Sequence, residues 1–298
     1  MNPWSLVDLP DQTGRIVVVT GATSGIGLVT ARELMARGAY VILACRDVAK
    51  GEQLRAELGS TGQLSQVRRV DLADLDSVRE FAVSLANWRI DILINNAGCF
   101  VPNLQHTPQG HELMFGTNVL GPFLLTQLLL QQGAITDRVV WLSSAAHRMG
   151  KIDLADPDWH RRRWSPWRAY ATSKLGDLVL AYEQQRRFVT DGSLVRSVAA
   201  HPGWSSTKLF DPLAERRRGK MLSMLSGVPI VAQSAEDGAL PSLYAAGVPE
   251  LPGGTYVGPS GPGELTGWPR PVGSSAASHD RSTARRFWAM CEELTGLR

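Results

Sequence analysis

Cysteine is scarce: the 298 residues hold three, Cys45, Cys99 and Cys291, with no pairing pattern. That excludes a disulfide framework and points to a reducing compartment. Charge of one sign is also in short supply. The 31 Lys and Arg nearly balance 28 Asp and Glu, and a net +3 is too little to argue for nucleic acid. The nine Trp form no basic–aromatic stripe suited to that partner either. No two histidines stand at His-x-x-x-His spacing, and no Cys/carboxylate cluster accompanies His147, His160 or His201, so no metal is expected. Met1 to Asp11 lacks a basic segment followed by an apolar run, and Leu124 to Leu130 is too short and interrupted to span a bilayer. A cytoplasmic protein without a membrane span is the expectation. Neither an internal repeat nor an interdomain linker breaks the chain, so residues 1–298 are read as a single domain.

What is present is an alternation of apolar runs and helical patterns. Ile16 to Val19, Tyr40 to Ala44, Gln66 to Val70, Ile90 to Ile94, Arg138 to Leu142 and Leu194 to Ala200 read as strands. Helices are expected at Val48–Leu58, Leu75–Ala86, Glu112–Leu130, through Tyr170 to Phe188, and at Thr283–Leu294. Such alternation implies an α/β fold, a doubly wound parallel sheet of Rossmann type covered on both faces. Beyond Gly203 the order weakens, and residues 247–275 are crowded with Gly, Pro and Ser around Thr255-Tyr256-Val257.

The first strand runs into Thr20-Gly21-Ala22-Thr23-Ser24-Gly25-Ile26-Gly27 and then a helical pattern. Strand, glycine-rich turn and helix point free N–H groups at a phosphate. Gly21 permits the tight turn, Gly25 lets backbone approach a pyrophosphate, and Gly27 lets helix pack on strand. A dinucleotide's adenosine ribose belongs about twenty residues further on, where an acid would bind the 2′-hydroxyl of NAD. Here stands Cys45-Arg46-Asp47. The Arg46 guanidinium can fork onto a 2′-phosphate, which favours NADP over NAD. Asp47 is either that acid moved one place or the cap of the next helix. Tyr170 and Lys174, four apart on a helix, share one face. A nearby ammonium favours phenolate and fits Tyr170 for general acid–base work. Ser143-Ser144 ends the fifth strand, where ligands of open sheets sit.

Together Thr20–Gly27, Asn95-Asn96-Ala97-Gly98, Asn118, Ser144, Tyr170-x-x-x-Lys174 and Pro202-Gly203 resemble the short-chain dehydrogenase/reductase family over residues 14–210. Leu43–Asp47, Phe115–Gly121, Ser143–His147 and Gly253–Gly258 are similar to its retinol dehydrogenase and protochlorophyllide reductase-like branch. The resemblance implies a nicotinamide cofactor, with Tyr170 as acid–base, Lys174 lowering its pKa and binding the nicotinamide ribose, and Ser144 orienting the carbonyl. Asn118 would hold a water that connects Lys174 to solvent. The cofactor would be held by Gly21, Thr23, Ser24, Gly25, Ile26, Gly27, Arg46, Asp71, Leu72, Asn95, Ala97, Gly98, Tyr170, Lys174, Pro202, Gly203 and Thr207. Asp71 is assigned the adenine, Asn95 the adenosine ribose, Pro202-Gly203 the nicotinamide, and Thr207 its carboxamide or a phosphate.

Ser144 and Tyr170 are 26 positions apart, a longer stretch than many members have, and it carries Trp159, Arg161 to Arg163, Trp164 and Trp167. Residues 145–168 and 204–232 are read as walls of the substrate pocket; a solvated basic loop and a buried helix pair are the plainer readings. The expected substrate is a hydrophobic carbonyl or alcohol. Reduction of C=C, isomerisation, dehydration or cyclisation on the same frame remains open, as does a non-catalytic NADP(H) sensor. The sequence leaves monomer or homo-oligomer open.

Overall fold

The computed structural model describes residues 3–204 and 233–297. Their centre is an eight-stranded sheet in the order β3-β2-β1-β4-β5-β6-β7-β8. The strands are β1 Ile16–Thr20, β2 Tyr40–Cys45, β3 Ser65–Arg69, β4 Ile90–Asn95, β5 Ile135–Leu142, β6 Arg196–Ala200, β7 Tyr256–Pro259 and β8 Pro269–Pro271. The first seven run parallel, and β8 is antiparallel on the β7 edge. Around them lie α1 Gly25–Ala36, α2 Val48–Glu57, α3 Leu75–Ser84, α4 Leu113–Gln131, α5 Pro166–Thr190, α6 Ala235–Gly247 and α7 Arg281–Leu294.

A parallel sheet covered on both faces needs strands that are apolar on both sides. Val17, Val18 and Val19 are fully buried, yet neighbours in the strand serve different cores. Val18, Ile42, Leu93 and Val139 meet α3, α4, α5 and α7, whereas Val17, Val19, Val41 and Ile92 meet α1 and α6. Strand order reverses between β1 and β4, opening the crevice at the carboxyl ends of the strands where such sheets bind ligands.

The C-terminal helix α7 completes one layer. Ala284, Phe287, Trp288 and Cys291 recur at helical spacing and are buried, and Asp280 caps the helix by accepting from Ser282 N and Thr283 N. Trp288 meets Phe123 of α4 edge-on at 4.9 Å, and Phe287 lies where a Cβ on Gly176 of α5 would come within 3.1 Å. Among the described residues α4 is one helix long and apolar enough to cross a membrane, but 72% of that stretch is buried against the rest of the fold.

The expected strands and helices recur with ends shifted by a few residues, and the C-terminal region holds more order than its sequence showed. Ser234 caps α6 by accepting from Asp237 N, and the helix carries Gly238 and an internal Pro241. It packs small residues, Ala239, Ala245 and Ala246, against α1 and the sheet. β5 begins three residues earlier than expected, so Asp137 and Arg138 lie inside it. Arg138 is wholly buried; its Nη1 donates to the Ala245 and Val248 carbonyls, both at 2.9 Å, and its Nε pairs with Asp137 at 3.2 Å.

Candidate active site

The glycine turn lies where β1 ends and is fixed from β4. Thr20 Oγ1 accepts from Asn96 N and Ala97 N, both at 3.0 Å, and the Asn96 amide donates to Thr20 O at 2.7 Å. Gly21 and Gly25 have left-handed φ of 68° and 53°. At Gly27 the need for glycine is space: a Cβ would lie 2.3 Å from Asn96 Nδ2 and 2.4 Å from Gly21 O. Ser24 caps α1 without using its side chain, which stays half-exposed beside Thr23 while Ile26 packs inward. The turn thus offers the first N–H groups of α1 and a free hydroxyl, a cradle that fits a pyrophosphate.

At the end of β2, Arg46 is exposed and Asp47 resolves its own ambiguity. The Asp47 carboxylate accepts from Lys50 N at 3.0 Å and caps α2. Asp71, half-buried after β3, accepts from Ala73 N at 3.0 Å, and Leu72 beside it is buried. Asn95, expected beside the adenosine ribose, ends β4. Its amide is buried and donates to Thr126 Oγ1 of α4 at 2.9 Å, whereas Ala97 and Gly98 line the crevice side with the turn.

Asn118 sits on a π-helical turn, Gly116–Leu120, inside α4. Such a wide turn is frequent at functional sites. The Asn118 amide accepts from Cys99 N at 2.7 Å and donates to Cys99 O at 3.1 Å and Ser173 Oγ at 2.9 Å. It therefore ties the loop after β4 to α5, and a Cβ on Gly98 would stand 3.3 Å from Asn118 Oδ1 and 3.5 Å from Lys174 Nζ.

The remaining groups converge on α5. Ser144 follows β5, caps the short turn after it by accepting from Ala146 N, and brings its hydroxyl near enough to Tyr170 to favour the phenolate. Burial pushes the Tyr170 phenol up, outweighing the pull of the Lys174 ammonium and the Ser144 hydrogen bond. Lys174 is 4% exposed, and its Nζ donates to Leu142 O and to Asp177 Oδ2, both at 2.8 Å. Burial acts to lower the ammonium, but Asp177 and Tyr170 outweigh it and hold it above its usual value. Asp177, equally buried, is pushed up by desolvation to about 6 against the attraction of Lys174. Beside them Ser143 Oγ donates to Lys174 O at 2.7 Å, fastening β5 to the same turn of α5.

Geometry of this kind matches a known family. A sequence profile described as short chain dehydrogenase matches residues 15–218. The chain belongs to the short-chain dehydrogenase/reductase family. It is 39% identical to retinol dehydrogenase 13 of Homo sapiens over 95% of this chain and 85% of that protein. It is 38% identical to polyprenol dehydrogenase of Mus musculus, over 97% and 86% of the two chains. A solved structure described as a putative uncharacterized protein from Mycobacterium Paratuberculosis is 42% identical, with a TM-score of 0.84 over 99% of this chain and 98% of that one. The short-chain dehydrogenase is thus of the retinol dehydrogenase-like branch.

In this short-chain dehydrogenase the insertion between Ser144 and Tyr170 is packed as well as charged. Phe100 stacks tilted on Trp167 at 4.6 Å and meets Tyr170 edge-on at 5.7 Å. Trp159 is buried with Met114, Ala169 and Tyr170, under the Arg162 guanidinium at 3.7 Å from its ring. The fully buried Glu112 accepts from Trp164 Nε1 at 3.3 Å and Phe115 N at 2.8 Å, and its own N–H donates to Asp158 Oδ1 at 2.9 Å. The Trp side chains therefore gather beside Tyr170 while Arg161 and Arg163 face solvent. Pro202 and Gly203 follow β6; Gln233 Nε2 donates to Pro202 O at 3.0 Å, and Gly203 has φ of 70°. Thr207 and the expected wall at 204–232, apart from Trp204, lie outside the described residues.

Sequence reading missed what underlies Ser144. His147 is fully buried; its Nδ1 lies 2.7 Å from Ser144 O and its Nε2 accepts from Ser275 N at 3.2 Å. These contacts require Nδ1 to carry the proton of a neutral ring. Desolvation accordingly pushes His147 down to about 4 from its ordinary 6.5. An imidazole that must stay neutral stabilises the fold fully above pH 6.5, and that stability is lost as pH falls through 4. Urea melts between pH 7.5 and 4.5 should therefore show a loss of about 2–3 kcal/mol that a His147→Asn variant, already weakened at neutral pH, does not show.

Proposed function

We propose that this chain is an NADP(H)-dependent oxidoreductase that interconverts a carbonyl and an alcohol on a hydrophobic small molecule. The observation that carries the reading is the convergence of Ser144 and Tyr170, one helical turn from the buried Lys174, at strand ends beside the glycine turn. A group of relatives named for the dehydrogenation of retinol and polyprenol supports alcohol and carbonyl chemistry.

When bound, the nicotinamide supplies or accepts the hydride. The protein's part is the proton. Tyr170 gives its phenolic proton to the carbonyl oxygen and retrieves it in the opposite direction. Ser144 donates to that same oxygen, holding it within reach of Tyr170. The Lys174 ammonium stabilises the phenolate that is left behind. Phe100, Trp159, Trp164 and Trp167 form an apolar wall against which a hydrophobic substrate can lose its water. Gly21, Thr23, Ser24, Gly25 and Gly27 would hold the pyrophosphate, and Arg46 a 2′-phosphate, while Asp47 caps α2.

Fluorescence titration with each reduced cofactor tests the assignment. Arg46→Ala should weaken NADPH roughly 10- to 100-fold, the worth of a charge-assisted pair, and leave NADH unchanged. Equal weakening of both, or a wild-type preference for NADH, would contradict it.

A further inference from the structure

Asp177 is a buried carboxylate that the reaction just described does not use. It lies one turn beyond Lys174 on α5, 2% exposed, with Oδ2 at 2.8 Å from Nζ. Its second oxygen, Oδ1, is buried with no hydrogen-bond partner among the described residues. A carboxylate in such a place carries a heavy desolvation penalty that a countercharge must offset. Replacing it by an apolar residue would leave Lys174 with the Leu142 carbonyl and no anion until Tyr170 ionises.

We propose that Asp177 is a positioning residue of the acid–base pair: as the resting counter-ion of Lys174 it fixes the ammonium against β5 and opposes ionisation of Tyr170. The inference rests on the proposed role of Tyr170 and Lys174. Three negative groups compete for one buried ammonium: the Asp177 carboxylate, the Tyr170 phenolate when it forms, and the Cys99 thiolate when it forms. Each of the three raises Lys174, and Asp177 and Cys99 both raise Tyr170. Cys99 is itself pushed up to about 11 by desolvation, so Asp177 is the one of these that is charged at neutral pH. Among the described residues the other elements around the pair bring uncharged groups: the Leu142 carbonyl of β5, the Asn118 amide of α4, and the Phe287 ring of α7 against Gly176. His147, in the turn after β5, is held neutral. Protonation of Asp177, pushed up to about 6, would free Lys174 for the phenolate just below neutrality.

The test is an ultraviolet titration of tyrosinate, performed on the free protein and read as the component that disappears in a Tyr170→Phe background. Asp177→Asn keeps the shape and a hydrogen-bonding group but removes the charge. The Tyr170 component should ionise at least about one pH unit lower in Asp177→Asn than in wild type, since a unit charge at close range in protein is worth that much. Asp177→Ala should shift it in the same direction, which guards against a local effect of the asparagine amide. The pH profile of alcohol oxidation should move with it. An unchanged Tyr170 titration in both variants would overturn the proposal. Because the titration needs neither cofactor nor substrate, it is decided separately from the oxidoreductase reading, which falls instead if Tyr170→Phe retains full turnover.

Discussion

Tyr170→Phe should lower turnover of a carbonyl substrate by about 10²–10⁴-fold, the usual worth of a positioned general acid, while NADPH affinity stays within a few-fold of wild type. The split follows from the geometry. The phenylalanine ring keeps the edge contact with Phe100 and the burial beside Trp159, so the wall of the pocket persists. What disappears is the hydroxyl on which Ser144 and the Lys174 ammonium act. Steady-state kinetics with NADPH in excess, together with a cofactor titration, separate the two effects. A variant that turns over at the wild-type rate would remove Tyr170 from the chemistry.

The other large effect is expected at Gly27, and it should be indifferent to which cofactor is used. An alanine methyl there would overlap Asn96 Nδ2 and, more seriously, the Gly21 carbonyl, which belongs to backbone and cannot swing away. Either α1 retreats from β1 or the turn opens, and both displace the N–H groups aimed at the pyrophosphate. Gly27→Ala should weaken NADPH and NADH alike by about 100-fold, the order of loss expected when a site is misplaced by an ångström. Gly273→Ala is a suitable control, because a Cβ there meets nothing within 4 Å among the described residues. Normal binding by Gly27→Ala would show that the turn does not carry the cofactor.

Sequence pattern reached the sheet easily because its central strands are buried on both faces. Runs such as Ile16–Thr20 and Ile90–Asn95 have to be apolar throughout, and that leaves a mark no loop reproduces. α6 left no such mark: Gly238 and Pro241 interrupt its pattern, and its buried side is made of alanines whose small size tells little about direction. β8 is three residues long and two of them are proline, tolerable only at an edge.

The site shows the same division. Ser144, Tyr170 and Lys174 were legible because spacing on a helix and position at a strand end are properties of the chain itself. The Asn95-Asn96 pair was not, since adjacent residues point to opposite sides and the motif does not say which. Asn95 turns to Thr126, and Asn96 clamps Thr20. Nor did an acid three residues after a lysine announce itself as buried, because on most helices that pair is a solvated ion pair of little consequence. Only the packing of α5 between β5 and α7 makes Asp177 different from those.

The central claim, hydride exchange at a carbonyl assisted by Tyr170, is tested most directly with NADPH deuterated at nicotinamide C4, each face in turn, and a panel of hydrophobic aldehydes and ketones. Mass spectrometry of the product alcohol should find deuterium on the carbinol carbon from one face of the cofactor, at a rate that collapses in Tyr170→Phe. Tight NADPH binding without any transfer of deuterium to carbon would contradict the account.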